Sequence, residues 1–212
     1  MSETVRQPAQ RSTYRHGDLR RALIEAGVAL ARGGGPAAVV LREATRRAGV
    51  APNAAYRHFA SREDLLAAVR EQALAAVARA MEAEYRAAPA EGSDADRARA
   101  LVRAVGRGYL RFAWTETGLF RTAFGGSFTV AADSAASGAD GRNPFGHLNA
   151  ALDALVAADA LAPERRPGAE YLAWSTVHGL ALLALDGPLQ DAPQPLLEAL
   201  GERLLDMVER GL

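Results

Sequence analysis

The segment Pro52-Asn53-Ala54-Ala55-Tyr56-Arg57-His58 carries Asn, Tyr, Arg and His where a packing helix would carry an apolar stripe. A short helix with an amide, a phenol, a guanidinium and an imidazole on its surface suits the major groove of duplex DNA. Asn53 can bond the edge of adenine bidentately, and Pro52 and Ala54 offer apolar contact to a thymine methyl. Ala51 opens this segment and Arg57 adds a charge to it. Arg42 and Arg46 lie just upstream, where they can meet phosphates, although Arg46 and Arg47 read equally well as a solvated face.

A reading helix needs a frame. Leu41, Ala44 and Ala48 form the apolar side of a preceding helix over Val39 to Ala48. Gly49 permits the sharp turn that sets the two helices at a steep angle. Leu19, Leu23, Ala26 and Leu30 recur at three- and four-residue steps from about His16, which predicts a first helix. Gly33-Gly34-Gly35-Pro36 stops it. Pro52 suits the first position of the reading helix, expected to run to about His58. Ser61 with Asp64 three residues on forms a weakened capping box for a long helix, and Phe59 is expected as a buried hinge ahead of it.

Charge supports this division. Up to Ala60, ten arginines face four acids, a balance of +6, while the whole chain sums to zero. A basic first portion on an acidic remainder fits a nucleic-acid-binding head on a body that avoids DNA. The chain has no Lys, so all fixed positive side chains are Arg, as GC-rich coding bias or a need for guanidinium forks would produce. It has no Cys, which excludes disulfides, thiolate metal sites and thiol nucleophiles. The opening MSETVRQPAQRSTYRHGD has no apolar run like that of a secretory leader, and no segment offers the roughly 20 apolar residues of a membrane span. A cytoplasmic protein without a membrane partner is expected.

The residues RHGDLRRALIEAGVALA and LREATRRAGVAPNAAYRHFASREDLL carry a resemblance. Over about fifty residues they resemble the DNA-binding domain of TetR-type regulators, through the Ala-Gly-Val turn, the Tyr-x-His-Phe tetrad and the acidic-Leu-Leu entry to the long helix. The resemblance implies a homodimer on a palindromic operator, with a helical body whose small-molecule effector usually releases DNA. It places Tyr56 and His58 on phosphates, Pro52, Asn53 and Ala54 on base edges, and Arg62 where the family usually has Lys. Val40 and Ala51 depart from the pattern, standing where the family commonly has a hydroxyl that caps a helix and reaches a phosphate. Losing such a cap costs on the order of 1 kcal/mol. Arg42, Arg46 or the basic arm over residues 1–13 can compensate.

Helical patterns continue to the C-terminus, and the whole reads as all-α with about nine helices: a head over residues 1–60 and an effector-binding and dimerisation body over 61–212. Further helices are expected from Ser93 or Asp94, over Gly118 to Phe124, from Pro144 to Ala160, from Gly168 to Asp186 and from Pro193 to Arg210. Aromatics crowd around the Gly/Ser-rich loop of residues 125–143. Phe112, Trp114, Phe120, Phe124 and Phe128, with Trp174 and His178, read either as ordinary core or as walls of an effector pocket with that loop as its lid. His178 and Arg121 are the candidate orienting groups, though Arg121 also reads as solvated. The stretch AWSTVHGLALLAL is similar to a Trp-His-Gly helix of one TetR body subfamily. No metal or cofactor is expected, because His178 has no neighbour at ligand spacing. Gly179, Leu183, Leu197, Leu200, Leu204 and Met207 are expected at a dimer interface, since the last two helices are too apolar for exposure. No residue set has defensible spacing for catalysis, so an enzyme is not expected. The alternative is a small-molecule-binding helical protein without specific operator recognition.

Overall fold

The computed structural model describes residues 16–126 and 136–211. The arm over 1–13, Phe128 and the middle of the Gly/Ser loop lie outside the described residues. Among those described there are nine α-helices and no strand: α1 (His16–Gly34), α2 (Leu41–Arg47), α3 (Pro52–Ala55), α4 (Arg62–Ala87), α5 (Asp94–Thr115), α6 (Thr117–Phe124), α7 (Pro144–Ala157), α8 (Ala169–Leu185) and α9 (Gln194–Gly211). None is long and apolar enough to cross a membrane among the described residues.

Local chemistry sets most boundaries. The capping box at the start of α4 is complete: Ser61 Oγ accepts from the Asp64 amide at 3.1 Å, and Asp64 accepts from the Ser61 amide at 3.0 Å. Ser93 and Asp96 repeat the device at α5. α7 ends at Ala157 rather than Ala160, because Asp159 turns left-handed (φ 52°) and the amides of Ala160 and Leu161 both close on the Leu155 carbonyl. α3 is one turn long. The amides of His58 and Phe59 both close on the Ala55 carbonyl, so Tyr56 to His58 continue as a turn.

α4, about 39 Å long at 1.5 Å per residue, is the axis of the molecule. Its first turns carry Leu65 and Val69, fully buried, against α1 at Gly27. Its middle packs on α5, where Gly108 lets the backbones meet: a Cβ there would lie 2.7 Å from Met81 Cα. α6 bridges the two ends. Gly118 sits so close to α1 that a Cβ would meet the carbonyl oxygens of Ala31 and Arg32 at 2.3 and 2.5 Å. Arg32 pairs with Glu116 at 2.8 Å, and Arg70 of α4 donates to the Thr122 and Gly125 carbonyls.

α9 packs on α5 through Gly201, beside Leu110 and Trp114, and Leu205, against Gly106; Leu197 and Val208 are buried with them. Arg103 reaches Glu202, Asp206 and Glu209, while Arg107 donates to both oxygens of Glu202. The acids hold both guanidiniums more firmly protonated than usual, outweighing their partial desolvation.

Candidate functional site

The head presents its polar residues to solvent. Leu41, Ala44 and Thr45 of α2, with Ala55 of α3, are buried. Gly49 takes φ +69°, the left-handed conformation required by the turn between α2 and α3. Arg42, Arg46, Ala51, Pro52, Asn53, Tyr56 and Arg57 are exposed, whereas Ala54, His58 and Arg62 are half-buried. Tyr56 is 59% exposed, too much for a phenol serving the core. Phe59 is buried, and Arg20 of α1 covers its ring at 5.3 Å. Neither Val40 nor Ala51 supplies a side-chain cap, so α2 and α3 begin without one.

Two of the arginines expected on DNA, Arg46 and Arg62, bond within the chain. Arg46 donates to both Glu43 oxygens, which lowers the Glu43 carboxyl below its usual range. Arg62 donates to the Pro36 carbonyl at 2.6 Å, tying the start of α4 to the connection between α1 and α2. That bond gives Arg62 a scaffolding task that sequence spacing did not reveal.

The body encloses a cavity of about 60 Å³ between α4, α5, α6, α7, α8 and α9. Its walls are almost wholly apolar, from Leu74, Val105, Tyr109, Phe124, Phe145, Leu148, Trp174 and Val177 among others. Two of the expected pocket residues, Phe124 and Trp174, line it. Phe120 and His178 stand behind them in the same aromatic group, with His178 5.4 Å from Phe124 and 5.9 Å from Trp174 between ring centroids. Tyr109 joins this group and was missed as a site residue, although it belongs to the aromatic run visible in sequence. Phe145 was also missed and had no comparable signal.

Three expected wall residues lie elsewhere. Phe112 is buried packing outside the cavity lining. Trp114 faces a groove between α5 and α9, beside Gly201 and Glu198. Arg121 bonds the Leu185 carbonyl at 2.8 Å and pairs with Asp186, fastening α6 to the end of α8. It therefore does not orient a ligand in this cavity. Burial lowers the His178 pKa and pushes the Tyr109 phenol far upward.

The outer faces of α8 and α9 are apolar. Leu172, Leu182, Leu183, Leu196 and Met207 are exposed, with Leu200, Leu204 and Gly179 half-buried between them. Leu197 is not available on this face: it is 7% exposed and covered by its own chain.

Two family models match the chain. Residues 23–69 match bacterial regulatory proteins of the tetR family, and residues 102–208 match the tetracyclin repressor-like C-terminal domain. The second match spans Trp174, His178 and Gly179 without singling out a Trp-His-Gly subfamily. None of the curated proteins matches in sequence. Among solved structures, a protein with unknown function from Rhodococcus sp. RHA1 superposes at a TM-score of 0.70 with 26% identity, over 95% of this chain and 99% of that one. The transcriptional regulator FadR from Bacillus subtilis, solved in complex with stearoyl-CoA, gives 0.61 with 15% identity, over 91% and 98%. The TetR family regulator PfmR from Thermus thermophilus gives 0.54 with 20% identity, over 90% and 98%. The chain belongs to the TetR family, and is a DNA-binding transcription regulator.

Proposed function

We propose that this regulator is a homodimeric repressor that holds a palindromic operator and leaves it when a small, largely apolar or aromatic effector enters the body. Residues 1–60 form the reading head and 61–212 the effector and dimerisation body. Asn53, with Pro52 and Ala54, reads base edges; Arg42, Tyr56, Arg57 and His58 hold phosphates.

One observation carries the coupling: α6 contributes Phe124 to the cavity wall and, two turns earlier, sets Gly118 against the α1 carbonyls. A ligand that moves Phe124 therefore pushes on the head. At about 60 Å³ the cavity is far below the roughly 300 Å³ of a small drug-sized site, so an effector must widen it. A ligand that binds the widened body better shifts the spacing of the two heads; one with equal affinity for both states shifts nothing. The apolar lining suits a hydrocarbon or aryl group, and the stearoyl-CoA of the FadR complex is such a ligand on a protein of this fold. The exposed leucines of α8 and α9 supply the self-complementary surface for the dimer.

The test joins both sites. Bound duplexes are selected from random DNA, and apolar ligands are then screened by Trp174 fluorescence. An effector should weaken operator binding, and operator should weaken effector binding by the same factor. Ligands that quench Trp174 fluorescence yet leave operator affinity unchanged at saturation would exclude the coupling.

A further inference from the structure

We infer that the body holds a divalent transition-metal site of the zinc class, built from Glu82 of α4, Asp140 in the turn before α7, and His147 of α7. One donor atom from each lies within 4.8 Å of the other two. Glu82 is 3% exposed and His147 fully buried, while Asp140 opens the cluster to solvent. Neither ring nitrogen of His147 has a hydrogen-bond partner among the described residues, and Nε2 stands at 3.5 Å from Asp140 Oδ1, an ion-pair distance rather than a hydrogen bond. A buried imidazole left in this way requires an explanation, and a bound cation is one that uses its lone pair.

The surroundings are shaped for the carboxylates. The Ala139 amide donates to Glu82 Oε2 at 3.0 Å, and a Cβ on Gly138 would crowd that oxygen at 2.9 Å. The Arg142 amide donates to Asp140 Oδ1 at 3.0 Å, fixing the second carboxylate. These bonds set the orientation of both acids, as the supporting shell of a metal site does.

Charge is consistent with a divalent ion. Two carboxylates face the imidazole, balanced by Arg86 on Glu82 and Arg142 on Asp140, both on long side chains that reach solvent. A divalent cation can take over that neutralising role while the guanidiniums withdraw. One nitrogen and two oxygens suit Zn²⁺, Co²⁺ or Mn²⁺ better than Ca²⁺ or Mg²⁺, which favour all-oxygen shells. Ligand atoms about 2.0–2.2 Å from zinc in a tetrahedron lie about 3.3 Å apart, so the cluster needs only a small contraction. The fourth position opens towards the Asp140 side. A metal here would pin the 138–142 turn and α7 to α4, and so stiffen the cavity wall that α7 supplies.

The test uses the full chain without an affinity tag, stripped with a chelator and titrated with ZnCl₂ in excess Mg²⁺. One equivalent of Zn²⁺ should bind and raise the melting temperature by several degrees. CoCl₂ should give the visible d–d bands of an ordered nitrogen–oxygen site. His147→Gln should lose at least tenfold in Zn²⁺ affinity together with those bands. Asp140→Asn, at an exposed position, should do the same. If the native chain binds no Zn²⁺, or both variants bind it as tightly as the native chain, the site is overturned.

Discussion

The Tyr109 hydroxyl lies 2.7 Å from Nδ1 of His178, and on its other side accepts the Trp174 indole N–H at 3.2 Å. Indole can only donate, so the phenol oxygen accepts from Trp174 and also bonds Nδ1 of His178. This chain of bonds ties α5 to α8 beside the cavity and gives His178 a positioning role in the aromatic wall.

The His178 pKa is lowered by burial from an ordinary 6.5, so the unfolded chain binds its proton more readily than the folded one. Its contribution to stability is complete above pH 6.5 and is lost as pH falls below that value towards the folded pKa. Urea midpoints of the native chain should therefore fall more steeply than those of His178→Gln between about pH 7 and 5.5. Identical slopes would show that His178 titrates alike in both states.

Asn53 is exposed on α3 with its amide free to meet a base edge. Asn53→Ala should cost about 1–3 kcal/mol on the operator and relax preference at one base pair per half-site. Titrations on specific and single-base-substituted duplexes measure this. Unchanged base preference would move the reading role away from α3.

Arg62 donates to the Pro36 carbonyl, so its removal acts first on the scaffold. Arg62→Ala should lower stability by about 1 kcal/mol, the range of a partly exposed charged hydrogen bond. Thermal melts report that loss, and salt titrations separate a phosphate role, which would flatten the slope by about 0.9 per lost contact. A stable variant with a flattened slope would put Arg62 on the DNA instead.

Leu197 is buried within the protomer while Leu204, seven residues on along the same side of α9, is half-buried, and their variants should part accordingly. Leu204→Glu places a carboxylate at the half-buried edge of the apolar face and should give a folded monomer that no longer binds both half-sites. Leu197→Ala opens space inside the protomer and should cost about 2–5 kcal/mol of stability while leaving the oligomeric state intact. Sedimentation and denaturant melts distinguish the two. A dimeric Leu204→Glu would relocate the interface.

Gly118→Ala forces a methyl against the Ala31 and Arg32 carbonyls, which are backbone atoms and cannot step aside cheaply. Overpacking of this kind costs about 1–3 kcal/mol. Operator affinity should also change without any ligand, because α6 would be displaced from α1. Equal operator binding by a destabilised Gly118→Ala would remove α6 from the coupling route.

Much of the helical frame was legible from short-range chemistry. Ser61 with Asp64, the Gly33–Pro36 stop and the Gly49 turn act within a few residues, so their types predict their geometry wherever the chain folds. The polar surface of α3 was legible for the same reason, since a helix with no apolar stripe cannot be packed inward. The rotation of each helix about its axis was not legible. Close approaches at Gly108 and Gly118 set α5 and α6 so that Phe124 meets the cavity while Phe112 and Arg121 do not. Gly106 lets Leu205 of α9 come against α5, and Leu197 is buried although it shares the apolar spacing of Leu200 and Leu204. The bond from Arg62 to Pro36 and the gathering of Glu82, Asp140 and His147 join residues far apart in the chain. Periodicity records which residues share a helix face, but the neighbour that this face meets depends on contacts between distant segments, and those exist only once the helices have packed.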